Sequence, residues 1–174
     1  MRSISFRVTL AVGLCALLLG CATQTMVNSS ASAVAPAISW IVQVVDTGAS
    51  TTINGSGSVT APRGSQVRVF IHAKSPSGVK TVTDGTFVDA TWTCVSSGSL
   101  AQGMDATLAG ATQSQTPNAQ NQVDEDLVLF QVFSTGFDCN PGFKYSGGSI
   151  DIDAKATNFA NKSTTASLSI KVPK

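Results

Sequence analysis

The sequence has little charge and few of the side chains that catalysis uses. Only 12% of its 174 residues are Asp, Glu, Lys or Arg, about half of the ~25% that is usual in soluble domains. The formal net charge of +1 provides no basic surface for nucleic acid, so that class of partner is excluded. The length allows one compact domain.

The motifs of common enzyme classes are missing as well: the chain contains no GxSxG, P-loop, HExxH or dinucleotide-binding fingerprint. The single histidine, His72, alternates with Arg68 and Lys74 on the outer face of a predicted strand. A general base needs an oriented partner and a pocket, which this position does not indicate. We therefore predict a non-enzymatic protein without a cofactor. A hydrolase that uses Asp151 and nearby carboxylates is the remaining catalytic alternative.

Residues 1–20 have the pattern of a cleaved signal peptide. Arg2 and Arg7 supply the positive start, and the run from Val8 to Leu19 is uncharged. That run is too short for the ~20-residue helix that crosses a bilayer. It ends in Leu18-Leu19-Gly20-Cys21, which resembles the lipobox of bacterial lipoproteins.

The lipobox resemblance implies that Cys21 becomes the acylated first residue of the mature protein. Two or more acyl chains hold a protein stably on a membrane. Ala22 after Cys21 implies delivery to the outer membrane in the enterobacterial pattern. An ordinary secretory signal with a chance cysteine is the alternative. The rest of segment 21–37 has no charge or aromatic ring and is predicted to be a flexible tether.

Two cysteines remain for the folded part of the chain. Cys15 leaves with the signal and Cys21 is acylated, so Cys94 and Cys139 form the predicted disulfide in an oxidising compartment. A metal site is the competing use, but the chain has no CxxC and only one distant histidine.

From Ile38 onward, apolar and polar residues alternate in short runs between turn residues, as in half-buried antiparallel strands. The clearest runs place Val67, Val69, Ile71 and Ala73; Ile150, Ile152, Ala154 and Ala156; and Ala166, Leu168, Ile170 and Val172 on inner faces. Further strands are predicted at Ile38–Val45, Ser56–Thr60, Gly78–Thr83, Thr86–Val95 and Leu127–Phe133. An all-β antiparallel sandwich of about seven to nine strands over residues 38–174 is the predicted fold.

Three segments resemble bacterial immunoglobulin-like domains: Ser58–Val69, Ala73–Val82 and Ala154–Leu168. The last segment departs from the family pattern, with Asn158 in place of the usual Asp and Ala160 in place of the usual Gly. The resemblance implies an immunoglobulin-like sandwich. It does not imply an activity, since this fold carries unrelated functions.

Two segments are candidates for a binding site, and a pair of aspartates is a candidate for a metal site. The stretch between Val95 and Asp126 is predicted to be a long loop, either a surface excursion or a ligand contact. Phe137, Phe143 and Tyr145 flank Cys139 in a turn, where they either form an exposed binding patch or pin the loop.

Asp151 and Asp153 share a strand face and are weak candidates for calcium ligands, with Asp138 or Asn140 nearby. A cluster of charges precedes the apolar strand that begins at Leu127: Asp124, Glu125 and Asp126. Charges in such a position commonly reduce aggregation of the strand that follows. The two tryptophans, Trp40 and Trp92, are expected in the core, with Trp92 packing against the disulfide.

Together these features predict an extracytoplasmic module anchored to the membrane by its N-terminal lipid. Its expected role is non-enzymatic binding, adhesion or scaffolding with a protein or glycan partner. A carbohydrate- or cell-wall-polymer-binding module is the alternative, and it requires coplanar exposed rings.

We expect radiolabelled palmitate to enter the wild-type protein and not the Cys21→Ser variant, because the lipobox resemblance makes this thiol the acylation site. Cys15→Ser, inside the signal, is the control and should keep the label. A Cys21→Ser protein that remains in the membrane fraction would contradict the anchor.

Overall fold

The computed structural model describes residues 24–27, 34–98 and 100–174. The predicted signal segment 1–20 and the predicted acylation site Cys21 lie outside these residues. Within the described ranges the chain forms thirteen strands and no helix. The strands are β1 (Gln24–Met26), β2 (Ala37–Val44), β3 (Ser50–Asn54), β4 (Gly57–Thr60), β5 (Gln66–Lys74), β6 (Val79–Thr83), β7 (Phe87–Ser96), β8 (Ala101–Ala109), β9 (Thr112–Ser114), β10 (Gln122–Asp124), β11 (Asp126–Ser134), β12 (Phe143–Asn158) and β13 (Ser163–Val172). No helix of membrane-spanning length and hydropathy is present in the described part of the chain.

Two large sheets share one core, consistent with the predicted β-sandwich. The smaller sheet has the order β11-β5-β2-β3, and its neighbouring strands are antiparallel. In the larger sheet β12 pairs with β13 along one edge, and along its other edge first with β7 and then with β6. Strand β8 extends this sheet from β7, β9 extends it from β6, and β4 adds to β13 in parallel. A separate pair joins β1 to β10.

The predicted inner faces are confirmed by burial. All twelve residues of the three alternating runs are buried, as are Trp40 and its strand neighbours Ile38 and Val42. Alternation is a strong signal here because each strand has one face on the core and one in solvent. The five further predicted strands have ends within about a residue of the observed ones: Ile38–Val45, for example, is found as Ala37–Val44. Strand β12 begins seven residues before the predicted run from Ile150, and β3 was not predicted.

Two predicted irregular segments contain strands. The expected loop between Val95 and Asp126 contains β8, β9 and β10, so the prediction of one long loop is wrong. The expected free tether over residues 21–37 is interrupted, because β1 pairs with β10 through Gln24 opposite Asp124 and Met26 opposite Gln122.

The strands run between two ends of the molecule. One end, here called the disulfide pole, contains the Cys94–Cys139 disulfide, with a Cα–Cα distance of 5.8 Å. It joins β7 to the loop between β11 and β12. The other end, here called the clasp pole, contains the β1–β10 pair and the turn after β5. Both β5 and β12 connect the two poles.

We expect the Cys94→Ala/Cys139→Ala variant to lose about 4 kcal/mol of unfolding free energy, because the disulfide closes a loop with a sequence separation of 45. Urea unfolding measures the loss. As a control, a reducing agent should destabilise the wild-type protein and leave the variant unchanged. Equal urea midpoints for oxidised and reduced wild-type protein would contradict the prediction.

Candidate functional site

An aromatic stack fills the disulfide pole. The rings of Trp92 and Phe137 are 5.0 Å apart and nearly parallel at 6°, and Phe137 lies 6.0 Å from Tyr145. The guanidinium carbon of Arg63 lies 4.7 Å from the centroid of the Tyr145 ring, in cation–π geometry. Four side chains from different parts of the chain therefore form one continuous stack.

Hydrogen bonds fix this stack to the backbone. Arg63 donates through Nε and Nη2 to the Phe137 carbonyl, with Nε at 3.0 Å. The indole of Trp92 donates to the Asp138 carbonyl at 2.9 Å, and the Tyr145 hydroxyl donates to the Val172 carbonyl at 2.6 Å. The rings pack against one another and the polar atoms of Trp92 and Tyr145 are hydrogen-bonded. The stack therefore holds the loop between β11 and β12 in place.

The expected solvent-facing patch of Phe137, Phe143 and Tyr145 does not form. Phe137 and Tyr145 are each only 6% exposed, and Phe143 is half-buried. The loop-pinning interpretation of the same residues is the one the structure shows. Trp92 is half-buried and stacks on Phe137, whereas Trp40 is fully buried. A carbohydrate platform needs coplanar exposed rings, and these rings are stacked on one another.

The calcium candidates Asp151 and Asp153 are exposed on the outer face of the larger sheet, as alternation predicts. Each accepts a hydrogen bond from a serine: Ser149 Oγ lies 2.7 Å from Asp151 Oδ2, and Ser167 Oγ lies 2.6 Å from Asp153 Oδ1. Among the described residues, no group of three or more His, Cys, Asp or Glu side chains could hold a metal ion. Calcium needs six to eight oxygen ligands, so this pair is not supported as a site.

The free edge of β8 is the feature that sequence reasoning missed. Strand β8 has nine residues and, among the strands that the structure describes, pairs with β7 alone. The hydrogen bonds from Ser96 N to Leu100 O and from Gly110 N to Thr86 O, both 2.9 Å, fix the phase of the β7–β8 ladder. Even-numbered β8 residues therefore bond to β7. The N–H and C=O groups of Gly103, Asp105 and Thr107 point to the open side.

The two faces of β8 differ in chemistry. Met104, Ala106 and Leu108 are half-buried on the inner face, and Leu108 packs against the core. Gly103, Asp105 and Thr107 are exposed on the outer face. An open depression of ≈ 620 Å³ lies beside Gly103, Met104 and Asp105. It exists because Gly103 and Gly147, which flank Thr93 across the ladder, have no side chains to fill it.

The disulfide pole supports this edge. Asn140, next to Cys139, donates from Nδ2 to Gln102 Oε1 on β8 at 3.2 Å. The other nine-residue edge strand, β11, is approached by neighbouring elements: Gln131 Nε2 donates to Asp84 Oδ2 at 3.1 Å. Strand β8 contains no Pro or Lys, the residues with which edge strands commonly block further pairing.

No protein-family model and no curated protein matches this sequence. The site is therefore defined by its geometry: an open nine-residue strand edge with an apolar inner face and a polar outer face. Such an edge can form backbone hydrogen bonds with an extended peptide and can select alternate side chains of that peptide.

We expect the chain's single tyrosine, Tyr145, to titrate above its ordinary pKa of 10.0, because burial disfavours the phenolate and outweighs the opposing effect of Arg63. The absorbance of the phenolate, followed against pH, measures this group alone. Because the pKa of Tyr145 is raised in the folded state, the contribution of this group to folding stability is fully present below pH 10 and is lost as the pH rises through the raised pKa.

The Tyr145→Phe variant should lack this alkaline loss of stability. Titration of the native tyrosine at or below pH 10.0 would contradict the burial seen here.

Proposed function

We propose that this protein is a lipid-anchored extracytoplasmic binding module with an immunoglobulin-like sandwich, and that it binds an extended segment of a partner protein along β8. The observation that carries the proposal is the open edge of β8: no strand within residues 24–27, 34–98 and 100–174 pairs with the backbone groups of Gly103, Asp105 and Thr107. No covalent chemistry is involved. Binding would occur by strand addition.

The two faces of β8 define the chemistry of the partner. An added strand would place alternate side chains beside Met104, Ala106 and Leu108, where apolar residues would extend the core layer. The intervening side chains would lie beside Asp105 and Thr107, where polar or basic residues fit. The partner segment is therefore an extended stretch with apolar residues at every second position.

Anchoring and export are supported by the sequence and by the cysteines. The lipobox-like Leu18-Leu19-Gly20-Cys21 follows an uncharged run, and the remaining cysteines stand at disulfide distance. A disulfide of this kind persists in oxidising compartments. Both observations favour the cell envelope, and the enterobacterial sorting pattern favours the outer membrane.

We expect Thr107→Pro to abolish partner capture, because proline removes an outward N–H and leaves the bonds between β7 and β8 intact. Thr52→Pro is the matched control: Thr52 is also an exposed threonine on an edge strand, and its N–H points away from β2 by the same register argument. The measurement is quantitative recovery of cross-linked proteins from the envelope by each variant.

Amide hydrogen exchange in the purified complex identifies the edge directly. Slower exchange at residues 103, 105 and 107 on partner binding would support strand addition. Equal capture by Thr107→Pro and the wild-type protein would exclude β8 as the binding edge. Thermal unfolding of both proline variants checks that neither has lost the fold.

A further inference from the structure

The chain enters the domain at the clasp pole through a built contact. In β1, Gln24 pairs with Asp124 and Thr25 with Val123 of β10, and Thr25 Oγ1 donates to the Pro76 carbonyl at 3.2 Å. Val123 is buried against Gly78, whose φ of 71° and missing Cβ make room for it. We call the β1–β10 pair the clasp.

The clasp limits how far an N-terminal lipid could lie from the body. Cys21 precedes Gln24 by three residues, which span at most ~11 Å even when fully extended. A free tether running to Ala37 would span several times that distance. An N-terminal lipid on Cys21 would therefore be held beside the clasp pole rather than at the end of a long flexible tether.

The outer face of the smaller sheet is apolar at its centre. Phe130, Phe70 and Ile41 lie opposite one another across β11, β5 and β2, and the two phenylalanine rings are 4.9 Å apart. Val128 and Val132 flank Phe130 along β11. Exposure is 38% for Val128, 48% for Phe130 and 47% for Val132. We call these five residues the apolar face.

The charges around the apolar face are mostly positive. Arg68 and Lys74 are exposed on β5 on either side of Phe70, and His72 lies between them. Asp126 is the only acidic residue in the four strands of this sheet, and its Oδ2 lies 3.4 Å from His72 Nδ1. The opposite outer face, on the larger sheet, carries Asp89, Asp105, Asp151 and Asp153 together with Lys144, Lys155 and Lys171, so its charges nearly balance.

We propose that the apolar face docks on the anionic phospholipid surface to which Cys21 is anchored. The proposal rests on the lipid anchor of the proposed function. Phenylalanine and aliphatic side chains bordered by Arg and Lys match the acyl boundary and the anionic headgroups of a bilayer. The clasp places the lipid at the Lys74 end of this face, and the polar outer face of the larger sheet then points away from the membrane.

A second copy of the chain fits this face less well. The exposed apolar area of the five side chains is on the order of 300 Å², whereas each partner in a standard protein interface buries roughly 800 Å². Membrane docking needs a smaller buried area than a protein interface, because the acyl anchor already confines the apolar face at the membrane surface.

The test uses the full acylated protein in vesicles of phosphatidylethanolamine and phosphatidylglycerol. A fluorophore sensitive to polarity is attached at Val132→Cys on the apolar face or at Thr165→Cys on the outer face of β13, an exposed control position. We expect the label at residue 132 to shift to the blue, to be quenched by nitroxide lipids and to be shielded from aqueous iodide. The label at residue 165 should remain accessible to iodide.

Two outcomes are distinguished in the same sample. Protein that floats with the vesicles, with both labels equally accessible to iodide, overturns the docking and leaves the anchor of the proposed function intact. Protein that fails to float overturns the anchor and the docking together. Shielding at residue 165 instead of residue 132 also overturns the docking.

Variants separate the apolar, charge and clasp contributions to shielding at residue 132. Phe130→Ser should reduce shielding, whereas Phe87→Ser, at a phenylalanine that is 66% exposed on the other sheet, should not.

Arg68→Gln and Lys74→Gln should each weaken docking roughly fivefold. Thr25→Pro, which breaks the clasp, should increase iodide access, and Thr25→Ala should not. Unchanged shielding in Phe130→Ser and Thr25→Pro would overturn the mechanism.

Discussion

The fold depends on the hydrogen-bond ladders of β12. Its sixteen residues bond to β13 along one edge and to β7 and β6 along the other, and at ~3.3 Å per residue it is about 50 Å long. Near the disulfide pole the pairing with β7 shifts register between Tyr145 and Gly147. Gly148 follows, where a Cβ would lie 2.6 Å from the Thr91 carbonyl oxygen, so the close approach of β7 requires glycine there. The disulfide, the aromatic stack and the β8 edge all attach to this half of the strand.

Strict alternation explains how much of the sandwich could be predicted from the sequence. Strands β5, β12 and β13 carry branched apolar residues or alanine at every second position, and one buried face fixes both the strand type and its register. The pairing of Cys94 with Cys139 could be predicted because Cys15 was assigned to the signal segment and Cys21 to acylation. Sheet order was not accessible in this way, because alternation says which face is buried and not which strand is the neighbour.

The candidate site was missed for a related physical reason. Strand β8 has the sequence AQGMDATLA, in which small residues and one glycine weaken the contrast between the two faces. Strand β1 has three residues, and its position is set by β10, about a hundred residues away in the chain. The burial of Phe137 and Tyr145 depends on Arg63 and Trp92, which come from distant segments. Local patterns cannot show contacts of this kind.

The smaller and larger sheets present contrasting outer surfaces. The outer face of the smaller sheet has aromatic and aliphatic side chains between Arg68 and Lys74. The outer face of the larger sheet has hydroxyls, four aspartates and three lysines. The two outer surfaces therefore differ in exposed apolar area rather than in net charge.

The course of β12 between the poles also has a mechanical consequence. If tension is applied at the clasp pole and at β8, it is directed along the strands, perpendicular to the hydrogen bonds that join β7, β12 and β13. Many such bonds then carry the force at once and must slide together before any of them breaks. A sheet loaded in shear resists pulling far better than one whose hydrogen bonds are broken one after another.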